Sequence, residues 1–465
     1  VSKRVLGVVV ATFAAAGALA GAQDAVAPPV ALRGALIYTI EGDPIERGTV
    51  VLRDGKIVAV GPRDAVEIPE GVETIDAAGQ VVIPGLIDAG SFLPLASSER
   101  GVAAEPHHRA VDGLDYFSPR MLETVAAGVT TARVLPDAQG NVRGIAGVVK
   151  LPAGAAERPR VLAPEAGLLI SLGSGDGNSV SAMDAYARYR ELKDRLEAAR
   201  KYAQTWEKYA KDLEEYKKKK GGAPAKEAAP TPAPERPRVR LPLLGPAAKP
   251  PDSKEAPEPA KPSRDRAQEA LARLFVEGSK IGGEGGRLPL LAEAQTRDEI
   301  RFLLKLAEEF KLTFTLVGGA AAHAEAEALA KAKAGVVYGP ATLYGPTRAR
   351  FRDHGPETPA RLAAQGVPVA FGSLPLAAAG YPAAPTQDPS RFLALSACRA
   401  VAGGLDRKAA LKALTRDAAE SLGLKDRVGS IFPGKEADLV VLTGEPFELE
   451  SRVAMVFVDG RRVNP

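Results

Sequence analysis

Histidine is the side chain that most often binds a metal or moves a proton near neutral pH. This chain of 465 residues carries four: His107, His108, His323 and His354. His107 and His108 are adjacent, so their rings point in different directions in most backbone conformations. Glu105-Pro106 before them and Arg109 after them make the stretch a loop, where a packing or surface role is expected ahead of metal binding. His354 follows Arg352-Asp353 just before a helix start at 356–358, and a capping or loop role is expected there. The single cysteine, Cys398, excludes an internal disulfide and a zinc ribbon. It shares an apolar helix face with Phe392, Leu395 and Val401, which predicts a buried, inert thiol.

Any such group must be positioned by a fold, and the length allows two or three domains, or one large α/β barrel with an accessory domain. Lys plus Arg number 61 and Asp plus Glu 57, a net charge of +4. That excess is too thinly spread to point to a nucleic-acid partner. At the start, the basic Ser2-Lys3-Arg4, an apolar run over 5–20 and the small-residue Ala20-Gly21-Ala22 have the three-part pattern of a secretory signal peptide over 1–22. An uncleaved anchor is the alternative, because the run is nearly long enough to span a bilayer. Cleavage, export to the periplasm or extracellular space and no stable membrane insertion afterwards are the expectation.

Residues 30–83 alternate in short β-like runs, with Asp54-Gly55 as a hairpin turn between β-branched segments. From Pro84 the rhythm becomes strand, helix, strand: 129–135 follows a helical 119–127, 314–317 follows 298–310, and 367–371 follows 358–364. Alternation of this kind implies a parallel sheet or barrel. Short β runs return at 438–442 and 453–458. The fold class expected is α/β, a (β/α)8 TIM-like barrel inserted in a small β-sandwich domain built from both termini. The division is 23–83 and 427–465 for the sandwich, 84–182 and 263–426 for the barrel.

Between the barrel parts, 183–220 is a charged helix with a stripe running from Tyr186 and Tyr189 through Trp206 to Tyr216, expected to pack on the barrel or pair with itself. Residues 221–262 are rich in Pro, Ala, Lys and Glu. Such a stretch buries too little apolar area to order itself and reads as a linker.

The run Val82-Ile83-Pro84-Gly85-Leu86-Ile87-Asp88 resembles the opening of the amidohydrolase superfamily barrel. So do Gly128-Val129-Thr130-Thr131-Ala132-Arg133, residues 143–151, and the closing Asp426-Arg427-Val428-Gly429-Ser430 through Pro433-Gly434-Lys435-Glu436-Ala437-Asp438. The resemblance covers both ends and most barrel segments, leaves the linker unmatched, and is nearest to secreted imidazolonepropionase-like and prolidase-like members. It implies one or two divalent metals, such as zinc, at the C-terminal mouth of the barrel, activating water and polarising a carbonyl.

The ligands it implies are a His-x-His after the first strand, histidines after the fifth and sixth, and an aspartate after the eighth. Here the first pair is Gly90 and Phe92, the fifth-strand histidine positions are Glu293 and Gln295, the sixth is Gly318 and the eighth is Leu374. His323, five residues past Gly318, matches a histidine in relatives that is not the ligand. Lys150 matches a β arm and not a carboxylated-lysine position. Ser91 and Ser373 flank the former site, but no histidine is placed to serve as their base. Glu293 is either a base with a raised pKa or a buried, hydrogen-bonded carboxyl, the second being favoured.

Two functions follow. One is a protein that has lost metal-dependent C–N hydrolysis, uses no metal, and keeps the barrel as a scaffold. It would bind a small ligand in the mouth, an active amidohydrolase paralogue, or a second copy of itself. The alternative is an active amidohydrolase, acting on C–N bonds other than linear peptide bonds or as a dipeptidase, with a non-standard site around Glu293, Gln295 and His323. Fold alone does not choose between them.

Overall fold

The computed structural model describes residues 27–93, 105–137, 140–173, 182–221, 258–339, 355–374 and 389–463. The expected signal peptide, nearly all of the expected linker, and His354 lie outside the described residues.

The N-terminal strands are β1 (Val30–Ile37), β2 (Ile45–Arg53), β3 (Lys56–Pro62), β4 (Glu73–Asp76) and β5 (Val81–Pro84). Asp54-Gly55 turns β2 into β3 with both residues at positive φ, as an Asp-Gly hairpin requires. After Gly85 the chain enters the barrel strands β6 (Leu86–Ser91), β7 (Val129–Val134), β8 (Val142–Lys150), β9 (Arg160–Ser171), β10 (Leu290–Ala294), β11 (Phe314–Gly318), β12 (Gly335–Tyr338) and β13 (Val369–Phe371). Strands β14 (Leu439–Leu442), β15 (Val453–Val458) and β16 (Arg461–Arg462) return to the first sheet. That sheet runs β16-β15-β14-β5-β1-β2-β3, with β4 also on β1. Both termini therefore build one continuous eight-stranded sheet around its own core, which includes Leu32, Ile37, Val50, Leu439 and Phe457.

The barrel sheet runs in order from β13 to β6, and its ends meet where the Leu374 amide donates to the Gly90 carbonyl at 3.0 Å. Gly372 allows that approach, since a Cβ there would lie 2.7 Å from Val337 Cγ1 and 3.0 Å from the Gly90 oxygen. Seven strands are parallel. The eighth, β8, pairs antiparallel with both β7 and β9, a departure from strict (β/α)8 alternation at the β arm.

Helices α1 (Pro119–Ala126), α2 (Ala182–Gly221), α3 (Arg266–Ala272), α4 (Arg297–Phe310), α5 (Ala326–Lys331), α6 (Thr358–Ala364), α7 (Leu393–Ala402), α8 (Arg407–Leu414) and α9 (Arg416–Ser421) complete the fold. The 40 residues of α2 span about 60 Å. Its expected stripe packs on the barrel layer: Tyr189, Leu192, Leu196 and Trp206 are buried, and Tyr189 stacks on Phe302 of α4 at 5.1 Å. Arg133 of β7, buried, donates to the carbonyls of Ser421, at the end of α9, and Ala89. Burial pushes its pKa down to about 10. Among the described residues no helix is long and apolar enough to cross a membrane.

Candidate functional site at the barrel mouth

The C-terminal ends of the parallel strands converge on one face of the barrel, the place where barrels carry their chemistry. At the β6–β13 junction Asp88 is fully buried, and its Oδ1 accepts the amides of Gly90 (3.1 Å) and Ser373 (3.0 Å). Burial raises its pKa from 3.8 to about 6, partly offset by the Ser373 hydroxyl and amide, the Ser390 hydroxyl and the Gly90 amide. Beside it three hydroxyls form a closed cluster, Ser91 to Ser390 at 2.9 Å, Ser373 to Ser390 at 3.0 Å and Ser373 to Ser91 at 3.5 Å. All three serines are buried. Ser91 and Ser373 thus meet at the β6–β13 junction, joined there by Ser390 and Asp88, which the sequence alone does not single out.

On the opposite arc, Glu293 of β10 is ion-paired with Arg143 of β8 at 2.8 Å, and both side chains are about a tenth exposed. Ser171, ending β9, donates to Glu293 Oε2 at 3.0 Å and accepts from Arg143 Nη2 at 3.1 Å. The carboxyl is thus engaged by both a guanidinium and a hydroxyl. It matches the expectation of a buried, hydrogen-bonded carboxyl. Arg143 was overlooked, although an arginine in a strand buried at all nine positions demands a partner.

Gln295 follows β10 and leads into α4, whose first turn carries a capping box between Thr296 and Glu299. Glu299 also takes the Gln295 amide at 2.7 Å. So anchored, the Gln295 carboxamide accepts from the Ala320 amide at 3.1 Å and lies across the end of β11. A Cβ on Gly318 would stand 2.0 Å from Gln295 Nε2, and Gly318 has φ +97°. His323 bonds Thr358 Oγ1 at 3.1 Å, at the first residue of α6. Glu293, Gln295 and His323 are therefore each held by different partners.

Phe92 packs against an apolar cluster of Leu135, Ala146, Leu169, Leu291, Val317 and Leu374. A Cβ on Gly90 would press on Val337 (3.1 Å), Leu374 (3.2 Å) and Leu135 (3.4 Å). Leu374, buried, has a positive φ of 34°, a backbone region where Asn and Asp are enriched over leucine. No group of three or more His, Cys, Asp or Glu able to hold a metal occurs among the described residues.

His107 and His108 lie on a loop and meet edge to face at 4.8 Å, and the His108 carbonyl accepts the Ile145 amide of β8. Cys398 is only partly buried, and burial pushes its thiol pKa up, away from the reactive thiolate.

A model described as "Amidohydrolase family" matches residues 342–464. An imidazolonepropionase of Acidiphilium cryptum (strain JF-5) is 40% identical over 57 residues, 12% of this chain and 14% of that protein. The matched stretch is thus a small part of that relative. The crystal structure of an amidohydrolase from Thermotoga maritima MSB8 is similar over 94% of this chain and 99% of its own, with 25% identity and a TM-score of 0.64. A prolidase complexed with N-methylphosphonate-L-proline shares the fold over 94% and 99%, with 18% identity and a TM-score of 0.50. With a barrel and terminal-strand sheet matched nearly end to end by the Thermotoga enzyme, and family sequence similarity in its last quarter, the chain belongs to the amidohydrolase superfamily.

Proposed function

We propose that this chain is an exported amidohydrolase-superfamily protein that has lost metal-dependent C–N hydrolysis and serves as a binding or assembly scaffold. The observation that carries this reading is the apolar cluster in the mouth. Phe92 and Leu374, at two of the positions where the resemblance implies metal ligands, pack with Leu135 and Val317. Hydrocarbon offers a divalent cation no lone pair.

The other positions support it. Gly90 and Gly318 are donorless, and a side chain returned to 318 would collide with Gln295. Glu293 is neutralised by Arg143, so it presents no free negative charge to a cation. These residues do not fit a catalytic metal. The positive φ of Leu374 suits an aspartate better than a leucine, as expected if a ligand was replaced on a retained backbone. An active paralogue or a second copy of this chain is the partner this reading favours.

Metal content by mass spectrometry, on protein purified from the exported fraction without chelators and then dialysed against zinc, tests the reading. Negligible zinc, manganese, iron, nickel and cobalt is the expected result. A bound equivalent that survives dialysis would overturn it and return attention to hydrolysis of dipeptides and cyclic amides.

A further inference from the structure

Strand β8 lacks a neighbouring strand along part of one side. It pairs with β9 from Val142 to Lys150, but with β7 only over 147–150. An unpaired strand edge is a liability, and here residues 105–113 cover it. The His108 carbonyl accepts the Ile145 amide at 2.7 Å, and Arg109 bridges to Ile145 in parallel register. The approach is close, since a Cβ on Gly144 would stand 2.6 Å from the His108 oxygen. Ala110 and Val111, on the short 3-10 turn that follows, are buried and pin the far end of the segment.

His107 precedes the bonded carbonyl. Its Nδ1 is enclosed and has no hydrogen-bond partner among the described residues. Whichever nitrogen carries the proton in the neutral ring, the imidazolium carries one on both. A charged Nδ1–H would then be shut in with no acceptor, the costly case. Burial is the largest influence on the ring and opposes the cation. The charges around it pull both ways: His108, whose ring edge meets it at 4.8 Å, and Arg266 of α3 oppose the cation, while Glu105 and Asp265 favour it. Gly144 and Ile145 of β8 bring no charge, and Arg109 is already paired with Asp112 at 2.9 Å. Together these hold the His107 pKa below its ordinary 6.5.

We propose that residues 105–113 are a strap that acid releases from the edge of β8, with His107 as the trigger. The docked ring takes up a proton less readily than the released one, so falling pH favours release. Docking is at full strength above about 6.5 and weakens as pH falls through the lower docked value. Release leaves the edge at 142–146, which carries Arg143 toward Glu293, without a partner on that side. The proposal is independent of metal content and of the loss of hydrolysis.

Hydrogen exchange across 142–146 reads the release, followed by mass spectrometry on the full chain and corrected for the pH dependence of chemical exchange. Protection is expected to fall between about pH 7.5 and about pH 5, by no more than about tenfold per pH unit, the limit for a single proton. Strand β11, three strands away, should keep its protection. Asp88 works in the opposite direction, because its proton favours the native state, so global titration does not mimic a local loss. His107→Phe, an uncharged ring, should flatten the profile, and the smaller change His107→Gln should do the same if phenylalanine packs poorly. Constant protection in wild type, parallel profiles in wild type and the variants, or an equal loss in β11 would each overturn the strap.

Discussion

Replacing Lys150 with alanine is expected to destabilise the protein by about 3–5 kcal/mol, the cost of stripping one partner from buried charges. Lys150 ends β8 with 2% of its side chain exposed, and its ammonium contacts Glu436 at 2.5 Å, Asp438, and Asp459 at 3.4 Å. All three carboxylates come from the C-terminal part of the other sheet, so this one amine ties the barrel to the terminal-strand domain. Arg427 holds Glu436 from the other side at 2.7 Å, and Arg160 reaches Asp459 at 2.8 Å.

Burial alone would lower the Lys150 pKa, but Asp438, Asp459 and Glu436 outweigh it and hold the amine above its ordinary value. Burial alone would raise Glu436, yet Lys150 and Arg427 hold it below the usual carboxylate range. The signs therefore differ. The Lys150 contribution is present below the ordinary lysine pKa and is lost as pH rises through the folded value. That of Glu436 is present above the ordinary carboxylate pKa and is lost as pH falls through its folded value. Urea denaturation at neutral pH should show a midpoint well below wild type for Lys150→Ala. Asp459→Asn, at a partly exposed member of the cluster, should cost less. Equal midpoints for Lys150→Ala and wild type would mean that the network contributes nothing to holding the two sheets together.

The elements of this fold were legible because they are locally encoded. Asp54-Gly55 between β-branched runs is a hairpin, and Pro84-Gly85 marks the passage from the terminal sheet into β6. The helix–strand rhythm after 290 matches α4, β11, α6 and β13 within a few residues. What local pattern cannot carry is strand direction. Val142–Lys150 is an apolar run suitable for either sense, and its antiparallel pairing follows from short connections that leave no room for crossover helices. The site was half legible for the same reason. The residue types at 90, 92, 293, 295, 318 and 374 could be read off, but not that Arg143 lies on Glu293, 150 positions along the chain. The usable signal was a charged residue within a fully buried strand. It marked Arg143, and equally Lys150 and Arg133, as groups whose partners had to exist.

Asp88→Asn should remove a pH dependence of about 3 kcal/mol from the stability curve. The buried carboxyl has a pKa of about 6 against an ordinary 3.8, and each pH unit of that difference is worth about 1.4 kcal/mol. Because the folded value is the higher one, the proton binds more tightly to the native state. Its contribution is complete below about 3.8 and is lost as pH rises through about 6. Above that, folding carries the cost of an enclosed carboxylate that two amides and the serine hydroxyls only partly relieve. Asparagine keeps the Oδ1 that accepts from Gly90 and Ser373 and has no charge to bury. Its amide can donate toward the Ser373 or Ser390 oxygens. Measured against wild type, the variant should therefore gain about 2.4 kcal/mol of that total between pH 4 and pH 8. The gain would concentrate between 4 and 6 and reach a plateau above. Profiles that run parallel over that range would show that Asp88 does not titrate there. The β6–β13 seam would then hold an ionised aspartate at little cost, and the serine cluster would be a far stronger anion cradle than its geometry indicates.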